Sequence, residues 1–262
     1  MPKQSPRSQR HLVIPDTQSK PGVKLDHMRW AGQYAAAKKP DRIIHIGDHA
    51  DMPSLSSYDK GKRSFEGRRY KKDIETANRA LDMFMEPIYE EREKCFERGD
   101  EWDCTFDFAE GNHEHRIARA TEEHPELYGI IGLDDLNFKQ HGWNVHPFLK
   151  VFVLDGIAYS HYFTSGVMGR PVTSARALLN KKHMSCIMGH VQRYEVEIQY
   201  DANGKRLTGL FAGCLYQHDE DYLNPQGNAA TWRGLHMLYG VKAGEFTHNS
   251  VELSYLKDRF GR

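Results

Sequence analysis

No apolar run in this chain approaches the roughly 18 residues a membrane-spanning helix requires. The first residues, Met1-Pro2-Lys3-Gln4-Ser5-Pro6-Arg7, lack the apolar core of a signal peptide. A soluble, cytoplasmic protein with no membrane partner is therefore the expectation. Net charge is also missing: 36 basic residues balance 36 acidic ones. That balance argues against a protein that coats nucleic acid through a general basic excess, while leaving room for a local basic patch. Cysteine is scarce. Cys95, Cys104, Cys186 and Cys214 form no C-x-x-C pair, so they read as reduced, inert thiols of a reducing compartment. Internal repeats and low-complexity tracts are absent. Mean hydropathy is polar at −0.71, yet 262 residues, 39% of them hydrophobic, suffice for a substantial core.

The pattern along the chain gives a mobile tail at residues 1–10 and a single domain over 11–262. His11-Leu12-Val13-Ile14 reads as a buried strand. Leu25 to Lys39 carries helical spacing and stops at Pro40, and Arg42 to Ile46 reads as a second strand. This βαβ unit implies a parallel pair with a right-handed crossover. Residues 52–72 read as a long loop. Asp73 to Arg98 reads as a helix that Pro87 kinks or divides. Cys104 to Ala109 is a third strand, and Ile117 to Pro147 an irregular helical stretch over the site. From Lys150 the pattern turns to hairpins: Val151–Leu154 with Ile157–Tyr159, then a helix at Val172–Lys182 and a strand at Ser185–Met188. Strands follow at Tyr194–Tyr200, Leu207–Phe211, His236–Val241 and Ser250–Leu256. An early βαβ unit and late hairpins imply an α/β protein of two mixed sheets packed face to face with helices outside.

Short polar segments follow most of these apolar strands: Pro15-Asp16-Thr17-Gln18, Gly47-Asp48-His49-Ala50-Asp51, Gly111-Asn112-His113-Glu114, Ser160-His161 and Gly189-His190-Val191-Gln192, with Arg116 just behind the third. Strand carboxyl ends share one edge of a sheet, and α/β folds place their sites there. Asp16 and Asp48 offer carboxylate oxygens, Asn112 an amide oxygen, and His161 and His190 imidazole nitrogens. A carboxylate at Asp48 is placed to bridge two divalent ions roughly 3.5–4 Å apart. Mixed oxygen and imidazole donors suit manganese, iron or zinc better than calcium. Taken singly, each residue has a plainer reading. Asp16 and Asp48 suit turns, Asn112 suits a left-handed corner, and a lone histidine suits a satisfied core position.

The order D-x-[H/Q], G-D-x-x-D, G-N-H-[D/E], H, G-H-x-[H/Q] resembles the calcineurin-like metallophosphoesterase superfamily over Asp16 to Gln192. The longer strings Asp48 to Ser54 and Gly111 to Arg116 look like phage-encoded members. The resemblance implies a four-layer α/β/β/α sandwich and a dinuclear-metal phosphoesterase, in which a metal-activated hydroxide attacks a phosphomonoester or phosphodiester in line. One ion would be held by Asp16, Gln18, Asp48 and Gln192, the other by Asp48, Asn112, His161 and His190. His113 would serve as acid or charge stabiliser, Asp51 would orient it, and Arg116 would reach a substrate phosphate as a planar fork. A phage-encoded enzyme would act in the host cytoplasm.

Two departures from the family pattern stand at Gln18 and Gln192, where histidines are usual. The first site then has two carboxylates and two amides and no imidazole. Such a site is harder and weaker, so manganese or magnesium is expected over zinc, or filling only with substrate present. Lys60 to Lys72 carries Lys60, Lys62, Arg63, Arg68, Arg69, Lys71 and Lys72 against Glu66, with Phe65 and Tyr70 between. It reads either as a phosphate-attracting flap or as a solvated loop. His218-Asp219-Glu220-Asp221 reads as a solvated acidic turn more than as a third metal site. The substrate is thus a phosphate ester, with nucleotides and nucleic acid among the candidates. The rival functions are a DNA- or RNA-processing nuclease and a weakened metal-binding scaffold. Oligomeric state is left open.

Overall fold

The structure, a computed structural model, describes residues 8–220 and 223–261. The first parallel unit comprises β1 (Gln9–Ile14), α1 (Asp26–Lys38) and β2 (Arg42–His45). Three short 3-10 turns cross residues 53–65 and lead into α2 (Tyr70–Glu97), then β3 (Thr105–Ala109) and α3 (His115–Glu123). The middle of the chain holds β4 (Asn144–His146), β5 (Phe152–Leu154), β6 (Ile157–Tyr159), β7 (Thr164–Ser165) and β8 (Arg170–Pro171). The last third holds α4 (Ala175–Lys182), β9 (Cys186–Met188), β10 (Tyr194–Tyr200), β11 (Arg206–Ala212), α5 (Pro225–Ala229), β12 (Gly234–Lys242), β13 (Glu245–Glu252) and α6 (Leu253–Phe260).

Two mixed sheets result. The first is ordered β13-β12-β1-β2-β3-β4, with β1 to β4 parallel and β12 and β13 antiparallel. The second is ordered β10-β11-β9-β6-β5, with β6, β9 and β11 parallel and antiparallel strands at both edges. Val13, Ile44 and Ile46 of the first meet Tyr159, Ile187 and Leu210 of the second in a dry layer. Outside the first sheet, Met28 and Ala31 of α1 and Phe84 and Ile88 of α2 pack on Leu12, Ile43 and Phe106. Outside the second, Ala175 and Leu178 of α4 pack on Cys186, Met188 and Phe211. This is the expected four-layer α/β/β/α arrangement.

Register brings the site together. Ile14 pairs with His45, and His45 with Phe108, so the carboxyl ends of β1, β2 and β3 lie level. The parallel strands β6, β9 and β11 end at one edge of the second sheet. Leu215 N–H donates to the Asp16 carbonyl at 2.7 Å, stitching the two edges into one rim.

Several expectations shift. The tail expected at 1–10 falls on residues 1–7, outside the described residues, whereas Gln9 and Arg10 are already in β1. Helix α2 is not divided at Pro87; it runs 28 residues with Pro87 buried. An interior proline costs about 3 kcal/mol, and the burial of Phe84, Met85 and Ile88 beside it offsets that. Residues 117–147 are helical and irregular as expected, with α3 running to Glu123 and three short 3-10 turns after it, but β4 among them was not expected. The strand expected at Ser250–Leu256 ends at Glu252 and becomes α6. All four cysteines are free and buried. No helix among the described residues is long and apolar enough to cross a membrane.

Candidate metal centre

The loop after β2 turns sharply, and its ends are pinned from both sides. Asp48 adopts a left-handed backbone with φ 51°, and so do Gln18 (40°), His190 (67°) and Gln192 (60°). Such conformations cost on the order of 1–3 kcal/mol each in non-glycine residues and persist where surroundings hold them. The holding contacts are visible. Gln18 N–H donates to the Asp48 carbonyl at 2.9 Å and Trp232 N–H to the Gln192 carbonyl at 3.1 Å. His190 N–H points at both Asp16 carboxylate oxygens at 3.1 Å. Gly111 is required by packing: a side chain there would overlap the Asp48 backbone nitrogen and carboxylate.

Four of the expected ligands converge. Asn112 Oδ1 lies 2.9 Å from His161 Nε2 and 2.8 Å from His190 Nδ1, and Asp48 Oδ2 lies 3.3 Å from His161 Nε2. Donor atoms of Asp48, His161 and His190 all lie within 4.8 Å of one another. His161 Nδ1 sits 2.8 Å from the Ile46 carbonyl. A carbonyl only accepts, so Nδ1 carries a proton and Nε2 is the ring atom turned to Asp48 and Asn112. The arrangement gathers lone pairs around one point, which a cation would satisfy. Without a cation a proton does so: burial opposes charge on His161, but Asp48 and Asp16 outweigh it and push the ring up to about 9. His190 is pushed down to about 4, by burial first and then by the His161 charge.

Asp16, Gln18 and Gln192 adjoin this cluster. Gln18 and Gln192 line the same cavity as Asp48 and His190, and Asp16 is fully buried behind it. Burial, then neighbouring Asp48, push Asp16 up to about 7 against the pull of His161. Two buried carboxylates this close favour a cation between them. Gln192 Oε1 accepts from the Tyr216 hydroxyl at 3.0 Å, an amide held in place by a residue of the loop after β11.

His113 stands beside the cluster. Its Nδ1 is 2.7 Å from Asp51 Oδ1, and its Nε2 is 3.8 Å from Asp48 Oδ2. Burial works against its charged form, but Asp48 and the Asp51 contact raise it overall. Arg116 lines the cavity, yet its guanidinium donates to the Asp51 carbonyl at 2.6 Å and reaches His113 Nε2 at 3.2 Å. As placed, it braces the Asp51 loop and the histidine.

Other participants had no role in the sequence reading. Glu114 is fully buried, and its carboxylate accepts from Asp48 N–H at 3.0 Å, Gly111 N–H at 2.9 Å and Ala50 N–H at 2.7 Å. It ties two motif loops together, and its place in the Gly111-Asn112-His113-Glu114 string was the available signal. Lys20 bridges Asp51 Oδ2 at 3.2 Å and Glu220 Oε2 at 2.5 Å, and Glu220 meets His218 at 2.7 Å. The His218–Glu220 segment is thus not a solvated turn throughout, and among the described residues it forms no metal-binding group: Glu220 is 2% exposed and paired with a lysine, while Asp219 pairs with Arg233. Asp221 lies outside the described residues.

The cavity above these residues measures about 1270 Å³. Its lining also includes Tyr58, Lys62, Arg68, Arg69 and Lys72, so part of the basic stretch borders the same cavity.

No protein-family model matches the chain. It is 28% identical to the Gene 54 protein of Mycobacterium phage L5 over 240 residues, covering 86% of each chain. It is 27% identical to the Gene 54 protein of Mycobacterium phage D29 over 260 residues, covering 94% of this chain and 93% of the other. Among solved structures, a dimetal phosphatase from Danio rerio aligns over 94% of this chain and 97% of its own, with a TM-score of 0.44 and 10% identity. A likeness that remote does not bear on residue roles.

Proposed function

We propose that this chain is a divalent-metal-dependent phosphoesterase of the calcineurin-like type, a phage-type member acting in its host's cytoplasm. The observation that carries the reading is the convergence of Asp48 Oδ2, Asn112 Oδ1, His161 Nε2 and His190 Nδ1 from the edges of both sheets. These donors fit a divalent transition ion: one carboxylate, one amide oxygen and two imidazoles. Asp16, Gln18 and Gln192, with Asp48 shared, would hold a second ion, with manganese favoured because the set lacks imidazole. Bound, such ions would supply Lewis acidity to a phosphoryl group and acidify water at the site.

The protein's own groups do the rest. Asp51 Oδ1, 2.7 Å from His113 Nδ1, favours a proton there, and Nε2, which Arg116 reaches at 3.2 Å, would act at the phosphoryl side once that guanidinium turns to the phosphate. Arg116 fixes the ring and the Asp51 loop together. Asp48 and His113, 2% and 7% exposed, both line the cavity.

The test is turnover of p-nitrophenyl phosphate and its bis ester by metal-stripped protein before and after manganese is restored. Hydrolysis that appears only with the ion is expected. Turnover indifferent to chelation would overturn the reading, and full ion binding without turnover of any phosphate ester would leave a scaffold.

A further inference from the structure

We propose that the wall built by residues 58–72 binds a phosphate flanking the scissile one, and that the substrate carrying both is a single strand of nucleic acid. This rests on the phosphoesterase reading of the metal centre and names the substrate class for that same site.

Size comes first. Pockets for small ligands span roughly 300–1,000 Å³, and this cavity, at about 1270 Å³, exceeds that range. It has room for more than one phosphate ester. Its chemistry is divided. Asp48, Asn112, His113 and His190 line one part of the cavity, and another part carries Lys62, Arg68, Arg69 and Lys72 together with Asp59, Glu66 and Asp73. Asp59 engages two of these cations, Arg68 at 2.7 Å and Lys62 at 3.1 Å. Arg69 donates to the Arg68 carbonyl at 2.8 Å, and neither it nor exposed Lys72 pairs with a carboxylate among the described residues. Two cations are thus left facing the cavity that holds the candidate centre. A guanidinium fork and an ammonium suit a phosphate that is gripped but not cleaved.

Shape selects the source. Tyr58, on the same wall, is 81% exposed and offers a ring face to solvent. An aromatic beside backbone-tracking cations is the arrangement single strands use, stacking a base while phosphates are held. A free nucleoside polyphosphate would also satisfy Arg69 and Lys72 and could lay its base on Tyr58, but it fills less of a cavity of about 1270 Å³ than a strand does. A duplex presents its phosphates on a stiff convex surface, whereas the candidate ligands here are buried or half-buried at a cavity, so a flexible strand fits. The chain's zero net charge makes the interaction local and few-contact.

The experiment compares wild type with the Arg69→Ala/Lys72→Ala double variant, both loaded with manganese. Three substrates are used: a fluorescein-labelled short oligothymidylate, a nucleoside triphosphate, and bis(p-nitrophenyl) phosphate, which has no flanking phosphate. For wild type, cleavage of the oligonucleotide is expected. In the variant, the ratio of oligonucleotide to bis-ester kcat/KM should fall about tenfold or more. Fluorescence anisotropy of the oligonucleotide should show a salt slope shallower by about 0.7, from the one flanking phosphate no longer neutralised. An unchanged ratio and slope would overturn the proposal, as would hydrolysis of the triphosphate but not the oligonucleotide. In those cases bis-ester turnover keeps the phosphoesterase reading intact. If no ester is hydrolysed, that reading fails, and oligonucleotide binding insensitive to the double variant defeats the wall as well.

Discussion

The two halves of the candidate centre solve one problem with different materials. One half, Asp48, Asn112, His161 and His190, comes from both sheets and is already drawn together, its donor atoms near hydrogen-bond distance. The other, Asp16, Gln18 and Gln192, adds a carboxylate and two amides with no imidazole. Its residues are held by the backbone and by a tyrosine: His190 N–H on Asp16 and the Tyr216 hydroxyl on Gln192. The first half should bind an ion tightly with either manganese or zinc. The second should bind weakly and prefer the harder ion.

Asp48→Asn is the most damaging change, because the proposed centre shares Asp48 between both ions. Neither ion should then be retained, and phosphate-ester turnover should fall to the metal-free background, as metal analysis and a p-nitrophenyl phosphate assay would show. Wild-type metal content in that variant would break the comparison at its centre. His113→Ala comes next: turnover should drop about 10²–10⁴-fold while metal content stays, because His113 touches the ligands without being one.

Lys20→Met separates the buried braces from the donor atoms. It leaves Asp51 and Glu220 without their shared cation, and breaking a buried pair costs about 3–5 kcal/mol. Chemical denaturation should show that loss, and Lys20→Arg should restore most of it. A stability loss below the error of the measurement would show the bridge to be incidental.

Acid acts on a different part of the molecule. Burial, first among the causes, holds His11 down to about 4 and His27 and His236 down to about 3, from an ordinary value of 6.5. Between pH 6.5 and about 4 the unfolded chain therefore binds more protons than the folded one, and stability falls as pH falls through that window. At pH 5 each ring costs about 2 kcal/mol. Denaturation midpoints at pH 7 and pH 5 would reveal it, and equal midpoints would contradict it. The smallest effect is expected from Gln18→His with Gln192→His, which should bring zinc activation up toward that of manganese. An unchanged preference would place metal choice in the other half.

The architecture was readable where physics is local. Strands such as His11–Ile14 and Arg42–Ile46 are apolar runs followed by polar loops, and register brings those loops to one rim. Asp48, Asn112, His161 and His190 were visible as residues of the right chemistry behind such strands. Their convergence depends on two sheets meeting face to face, which periodicity cannot encode. Lys20 was not singled out, and Glu220 was read only as part of an acidic turn, because their pairing spans most of the chain and follows no motif. The three-residue β4 is too short and polar to show alternation. Around Leu253 the period changes from two to 3.6 within a few residues, which hides α6. The division of the helix at Pro87 did not follow because local cost was weighed without the packing around it.

An anomalous-diffraction map from manganese-soaked crystals tests the metal centre most directly. A peak bounded by Asp48, Asn112, His161 and His190 is expected, stronger than any peak beside Asp16, Gln18 and Gln192. A map with manganese bound elsewhere and nothing among those four residues would contradict the metal centre and the function built on it.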